Sequence, residues 1–156
     1  YSGVSQEYFD SETNEKYIPY IIESTYGLDR TVLAVLFNSY YTEELEDGEI
    51  REVMKFHPYL APYKITILPL IKKYHSNKAQ EIYKKLSKSF MCNYDDSGNI
   101  GKRYRRSDVI GTPFAITIDE DTLNNNTVTI RDRDTMEQVR MSLDEVEEYI
   151  KSRIDF

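Results

Sequence analysis

"KITILPLIKKYHSNKAQEIYKKLSKSFMCNY", Lys64 to Tyr94, decides the fold. It opens on a β-branched run ending at Pro69, which reads as a buried strand. "SNKAQEIYKKLSKSF" then places Ala79, Ile82, Tyr83, Leu86 and Phe90 at helical spacing, with Ser76 or Asn77 as cap. Lys84, Lys85 and Lys88 fall mostly on its outer side. "FMCNY" returns to a short buried strand. Further on, "DDSG" is a turn and "NIGKRYRRSDVIG" a short helix closed by Gly111. "PFAITI", "TVTIRDR" and "EQVRM" are strands. "SLDEVEEYIKSRI" is an amphipathic helix with a capping box, Ser142 to Glu145, and apolar Val146, Ile150 and Ile154. The rhythm predicts an α/β domain over 64–156: a mixed β-sheet flanked by helices.

Upstream the rhythm changes. The chain opens on what reads as strand, without a Met, which suggests a piece of something longer. "EYFDSETNEKYIPYIIE" alternates aromatic and polar residues around a turn, giving a hairpin from Tyr8 to Glu23. "LDRTVLAVLFNSYY" has no breaker and predicts a largely buried helix from Asp29 to Tyr40. "TEELEDGEIREVMKFHP" reads as a charged loop with some strand near Val53 to Phe56. "HPYLAPY" carries two prolines and predicts an extended linker at 58–63, dividing 1–57 from 64–156.

The chain has 156 residues and a formal net charge of -7, distributed unevenly. Residues 1–63 carry 4 Lys/Arg against 12 Asp/Glu, a balance of -8, whereas 64–156 carry 16 against 15, a balance of +1. The second part is thus free to face a polyanion. No apolar run approaches a membrane span. The single cysteine, Cys92, sits between apolar neighbours as core filler, which fits a reducing, cytoplasmic setting. With two histidines, His57 and His75, and no Cys/His cluster, no metal site is expected.

Three stretches carry candidate chemistry. "GNIGKRYRRSD" packs Lys102, Arg103, Arg105 and Arg106 into the start of a helix whose free amides already favour an anion. Lys102, Arg103 and Arg106 fall on one helical face, which either binds a polyanion or pairs with Asp95, Asp96 and Asp108. It is not a nucleotide P-loop: two residues rather than four separate the glycines, and Arg103 follows the Lys. "TIDEDT" sets Asp119, Glu120 and Asp121 at a strand end. "TIRDRDT" alternates so that Arg131 and Arg133 share one side of a strand, Asp132 and Asp134 the other. Arg and Asp together read base edges, or else they form an ion-pair ladder. In the first part, "IESTYGLDR" puts Glu23 before a tight turn, with Asp29 and Arg30 opening a helix. Arg30 is placed either to clamp a phosphate or to pair with Asp29 at the helix start.

In this order the pieces resemble glycyl-tRNA synthetases of the homodimeric class II type. The resemblance runs from Tyr8 onward and rests on "YIPYIIESTYGLDRTVLAVL", "LAPYKITILPL", "DDSGNIGKRYRRSDVIGTPFAITIDEDT" and "TVTIRDRDTMEQVR". It implies that 1–57 is the end of a class II antiparallel-sheet catalytic domain, with motif 3 at about 21–36, and that 64–156 is an anticodon-binding domain. It implies an ATP site at Gly27, Leu28, Asp29 and Arg30, with Arg30 catalytic. It implies a glycine site at Glu23, Ser24, Thr25, Tyr26 and Gly27. Where the family usually has Glu-Pro-Ser, this chain has Glu23, Ser24 and Thr25. The anticodon surface it implies comprises Lys102, Arg103, Arg106, Asp119, Glu120, Arg131 and Arg133. At Lys102 relatives also carry Arg, and at Glu120 an aromatic. The partners implied are tRNA-Gly, glycine, ATP with Mg2+ and a second subunit of a cytoplasmic homodimer. Motifs 1 and 2 have no counterpart and are expected before Tyr1. The alternative is a non-catalytic RNA-binding paralogue or accessory subunit built on the anticodon-binding domain.

Overall fold

The computed structural model describes residues 3–46 and 48–154. Its centre is β5 (Ile65–Pro69), buried at every position. β-Branched side chains on both faces suit a strand covered on two sides. β5 pairs in parallel with β6 (Cys92–Tyr94), Ile65 opposite Cys92, and with β7 (Phe114–Ile118), Ile65 opposite Phe114. The crossovers are α2 (Lys72–Leu86) and α3 (Ile100–Ile110), as parallel pairing requires. β8 (Thr127–Asp132) and β9 (Gln138–Ser142) add antiparallel strands, giving the order β6-β5-β7-β8-β9. A mixed sheet flanked by helices is therefore what forms.

Strand alternation sorts the two faces. Ile65, Ile67, Phe114, Ile116, Ile118, Val128 and Ile130 meet Ala79, Ile82 and Leu86 of α2. The same cluster takes in Val146, Ile150 and Ile154 of α5 (Val146–Ile154). The other face is polar. It presents Thr117 and Arg131 to α3, where Tyr104 Oη lies 2.7 Å from Thr117 Oγ1 and Arg131 pairs with Asp108. Cys92 is buried, and burial pushes its thiol pKa up.

Local signals set several boundaries. Asn99 caps α3, its Oδ1 accepting Lys102 N–H at 2.9 Å, and Gly111 closes it at φ 84°. A Cβ at Gly111 would lie 2.5 Å from Phe56 Cδ2 and 2.9 Å from the Met54 carbonyl, so only glycine fits. α2 starts a turn earlier than Ser76 or Asn77. His75 Nδ1 accepts the Ile71 N–H at 3.0 Å, while Ser76 Oγ donates back to the Lys72 carbonyl inside the helix. The "TIDEDT" turn is a short helix, α4 (Glu120–Asn125), with Asp119 and Thr122 forming a capping box.

The first segment departs more from expectation. The hairpin pairs only β1 (Tyr8–Asp10) with β2 (Glu15–Tyr17), and 18–27 carry no regular structure. Tyr1 and Ser2 lie outside the described residues, and 3–7 form no strand. α1 (Leu28–Ser39) forms, but it is not buried: Leu33 is 53% and Phe37 77% exposed, and only Ser39 is buried. The supposed charged loop is a second hairpin, β3 (Tyr40–Glu44) with β4 (Ile50–Met54). The proline-bearing linker is not extended either. It folds into a turn whose Pro58, Tyr59 and Ala61 carbonyls accept from Lys64 Nζ at 3.0, 2.6 and 2.8 Å.

Candidate nucleic-acid interface

Crossovers from β5 run to opposite sides, first to β6 and then, by way of β6, to β7. Such a reversal opens a crevice beyond the carboxyl ends of the strands. Here that end gathers 70–72, the start of α3 and the Asp119–Glu120 corner. Arg103 builds it. Its guanidinium, 4% exposed, donates to the Pro69 carbonyl at 2.5 Å and the Gly98 carbonyl at 2.6 Å, locking α3 onto β5.

The four cations of "KRYRR" therefore do not share a face. Arg103 is an internal strut. Arg106 closes the preceding turn, with Nε 2.8 Å from Asp95 Oδ2 and Nη2 on the Ser97 carbonyl. Arg105 reaches Glu49 at 3.4 Å. Lys102 is exposed, with no ion-pair partner within 4.0 Å among the described residues.

Beside α3 lies a cleft of about 510 Å³, lined by Asn99, Lys102, Tyr104, Arg105, Arg131 and Glu49. The Arg131 guanidinium stands 4.9 Å from the centre of the Tyr104 ring, a cation–π contact. Exposed Lys102, part-exposed Arg105 and an aromatic ring at one open surface suit a nucleic acid's phosphates and bases.

The other acidic and basic candidates take separate places. Asp119 is committed to structure: it caps α4 and pairs with Arg140. Burial pushes its carboxyl up, but the Arg140 guanidinium and the Thr122 N–H outweigh this and hold it below its usual value. Glu120 is 73% exposed at the crevice, with Oε2 3.6 Å from His75 Nε2. β8 ends at Asp132, so Arg133 falls in the turn beyond it, and Arg131 and Arg133 are both buried rather than forming an open cationic strand face. Arg133 lies at the opposite end of the sheet from Glu120, since its N–H bonds the Pro113 carbonyl just before β7 begins. The four-residue step from Phe114 to Ile118 alone separates the two ends by about 13 Å. Arg133 is also 2% exposed, donating to the Gly111 and Phe56 carbonyls at 2.8 Å each and to Asp134.

In the first segment, Glu23, Ser24, Thr25, Tyr26 and Gly27 lie on the exposed strip before α1, where Thr25 Oγ1 donates to Glu23 Oε1 at 3.0 Å. Leu28, Asp29 and Arg30 open α1 in solvent, and no ion pair joins Asp29 to Arg30.

The family description "Anticodon binding domain" matches residues 64–153. The chain belongs to the anticodon-binding-domain family. Relatives of this chain include a glycine–tRNA ligase of Clostridium kluyveri, 57% identical over 99% of this chain and 33% of that protein. The glycine–tRNA ligases of Clostridium tetani and Geobacillus kaustophilus are 54% and 53% identical over 100% of the chain. The chain thus spans about a third of the length of these relatives. Among solved structures, the RNA binding domain of threonyl-tRNA synthetase from Cryptosporidium parvum superposes with a TM-score of 0.59. It is 22% identical and covers 75% of this chain and 35% of that one, a likeness of fold. No helix among the described residues is long and apolar enough to cross a membrane.

Sequence reading missed Tyr104 and Arg51 as residues of the cleft and its support, and offered Asp108 as a partner of the α3 cations, whereas it pairs with Arg51 and Arg131. Tyr104 was signalled by its place within the cations. Arg51 was signalled by strand alternation, since it and Val53 point inward from β4 while Glu52 points out.

Proposed function

We propose that the chain is the part of a glycine–tRNA ligase that binds the tRNA anticodon and supplies motif 3. The cleft beside α3 carries this reading, because Lys102, Arg105 and Tyr104 converge there on one open surface, with the buried Arg131 against the Tyr104 ring. Lys102 and Arg105 meet phosphates, where a point charge suffices. Tyr104 offers a stacking face, and Arg131, 6% exposed with both terminal nitrogens on Asp108, backs that ring. Glu120 accepts from a base amino group at the crevice end. Arg103 and Arg133 shape the surface from within, while Arg106 and Asp119 hold the turns beside it.

In the whole enzyme, a cytoplasmic homodimer, ATP with Mg2+ activates glycine before its transfer to tRNA-Gly. Arg30 holds the ATP phosphates beside Gly27, Leu28 and Asp29, and Glu23 holds the glycine amine, with Ser24, Thr25 and Tyr26 framing the pocket. No group of three His, Cys, Asp or Glu side chains suited to a metal occurs among the described residues, so the magnesium is assigned no ligand in this chain.

The test is binding of an RNA stem-loop carrying the glycine anticodon, against stem-loops with other anticodons. Preferential binding supports the ligase reading. Uniform binding supports the non-catalytic module, and no binding at low salt overturns both. Glycine-dependent pyrophosphate exchange by this chain alone is expected to be absent.

A further inference from the structure

Asp108 is 1% exposed, and its carboxylate is shared by guanidinium groups from two distant parts of the chain. Arg131 comes from β8, with Nη1 2.9 Å from Oδ1 and Nη2 3.3 Å from Oδ2. Arg51 comes from β4, with Nε 2.9 Å from Oδ2. Arg51 is wholly buried and also donates to Glu43 on β3 at 2.6 Å and to the Arg133 carbonyl at 2.5 Å. One guanidinium thus joins three segments through Nε, Nη1 and Nη2, donors spread over a planar fork wider than the single nitrogen of an ammonium. The β3–β4 hairpin is in turn continuous with α1: the helix ends at Ser39, the strand begins at Tyr40, and Lys55 N–H donates to the Ser39 carbonyl at 2.6 Å.

We propose that Arg51 and Asp108 are positioning residues for the RNA cleft, fixing the Arg131 guanidinium against Tyr104 and setting the cleft in register with the hairpin that carries α1. This deepens the anticodon-binding reading and rests on it. Arg51 has no exposed surface, so it touches no RNA; its influence passes through Asp108. A guanidinium held along one edge by a carboxylate keeps its plane, and the Tyr104 ring holds the same plane from one side. Removing Arg51 leaves Asp108 with one partner and frees it to turn, taking Arg131 with it.

The experiment measures binding of the glycine-anticodon stem-loop to Arg51→Met and Arg51→Lys, each in the wild-type and in an Arg131→Met background. Arg51→Met is expected to weaken binding about tenfold, within the coupling seen between members of one ion-pair network. Arg51→Lys, which keeps the charge but not the fork, is expected to recover only part of the loss. In the Arg131→Met background Arg51→Met is expected to change binding less than about twofold, because the group it positions is gone. Unchanged binding in the wild-type background, or equal loss in both, overturns the proposal. A readout without RNA is amide hydrogen exchange over 103–110, expected to accelerate in Arg51→Met relative to α5. Unchanged exchange alongside normal wild-type binding overturns the latch alone, while absence of wild-type binding overturns the anticodon reading itself.

Discussion

At the scale of single residues, buried charge rather than exposed charge decides what this domain tolerates. Asp108→Ala leaves two buried guanidinium groups short of a carboxylate, and a loss of about 3–5 kcal/mol in urea unfolding is expected. Arg133→Ala strands the Gly111 and Phe56 carbonyls, each worth about 1–3 kcal/mol when left unbonded, so it lowers stability before it alters base preference. Lys102→Ala should behave oppositely. It leaves the unfolding midpoint alone and reduces the salt slope of RNA binding by about 0.7–0.9 for one lost phosphate contact. Acid also acts on particular residues. The Lys55 ammonium holds the Glu43 carboxyl down against its partial burial, and Arg51 adds to this, so its pKa lies below the ordinary 4.5. Asp119 lies below the ordinary 3.8. Both are depressed in the folded chain, so their stabilisation is fully present above those values and is lost as pH falls through the folded ones. Denaturation followed by circular dichroism should show a midpoint flat from neutrality to about pH 5 and falling below about pH 4, with a shallower fall in Glu43→Gln.

Elements were legible where periodicity and punctuation act locally. The strands β5, β7 and β8 announce themselves through β-branched alternation, and Gly111 marks the end of α3 because no other residue takes its conformation beside Phe56. Gly111→Ala should cost about 2–4 kcal/mol by combining a strained φ with overlap. α1 was legible as a helix and illegible in its burial. Its apolar residues at helical spacing imply a covering layer, but Leu33, Leu36 and Phe37 face solvent here. Replacing Leu33 and Phe37 with Ser should therefore shift the unfolding free energy of this chain by no more than about 0.5 kcal/mol each. The cation cluster shows the converse limit. Helical spacing puts Lys102, Arg103 and Arg106 on neighbouring positions, but whether a side chain points into a crevice, back to a turn or into solvent depends on strand order. Arg103 is bound to a carbonyl 34 residues away, which no local pattern encodes.

Over the whole molecule, charge and packing divide along the chain in the same sense. The acidic first part holds the exposed strip 18–27 and α1, while the later part, close to neutral in balance, holds the aliphatic core. Limited digestion with trypsin should therefore cut first after Lys16 and Arg30, both exposed, and spare Arg51, Arg103, Arg131 and Arg133, all buried; mass spectrometry of the early fragments reads this directly. The hairpin β3–β4 belongs with the resistant part although its sequence reads as a charged excursion, because Arg51 ties it to Asp108 and to the Arg133 carbonyl. That last bond spans 82 residues. Chain growth is vectorial, at about 5–20 residues per second, so Arg51 is joined to the chain roughly 4–16 s before the carbonyl it will hold exists. During that interval its charge stays hydrated and the hairpin has no core to join. The seam between the two parts of the chain is thus closed late, by the arrival of β8, and a translational pause before Arg133 would prolong the time the hairpin spends unanchored.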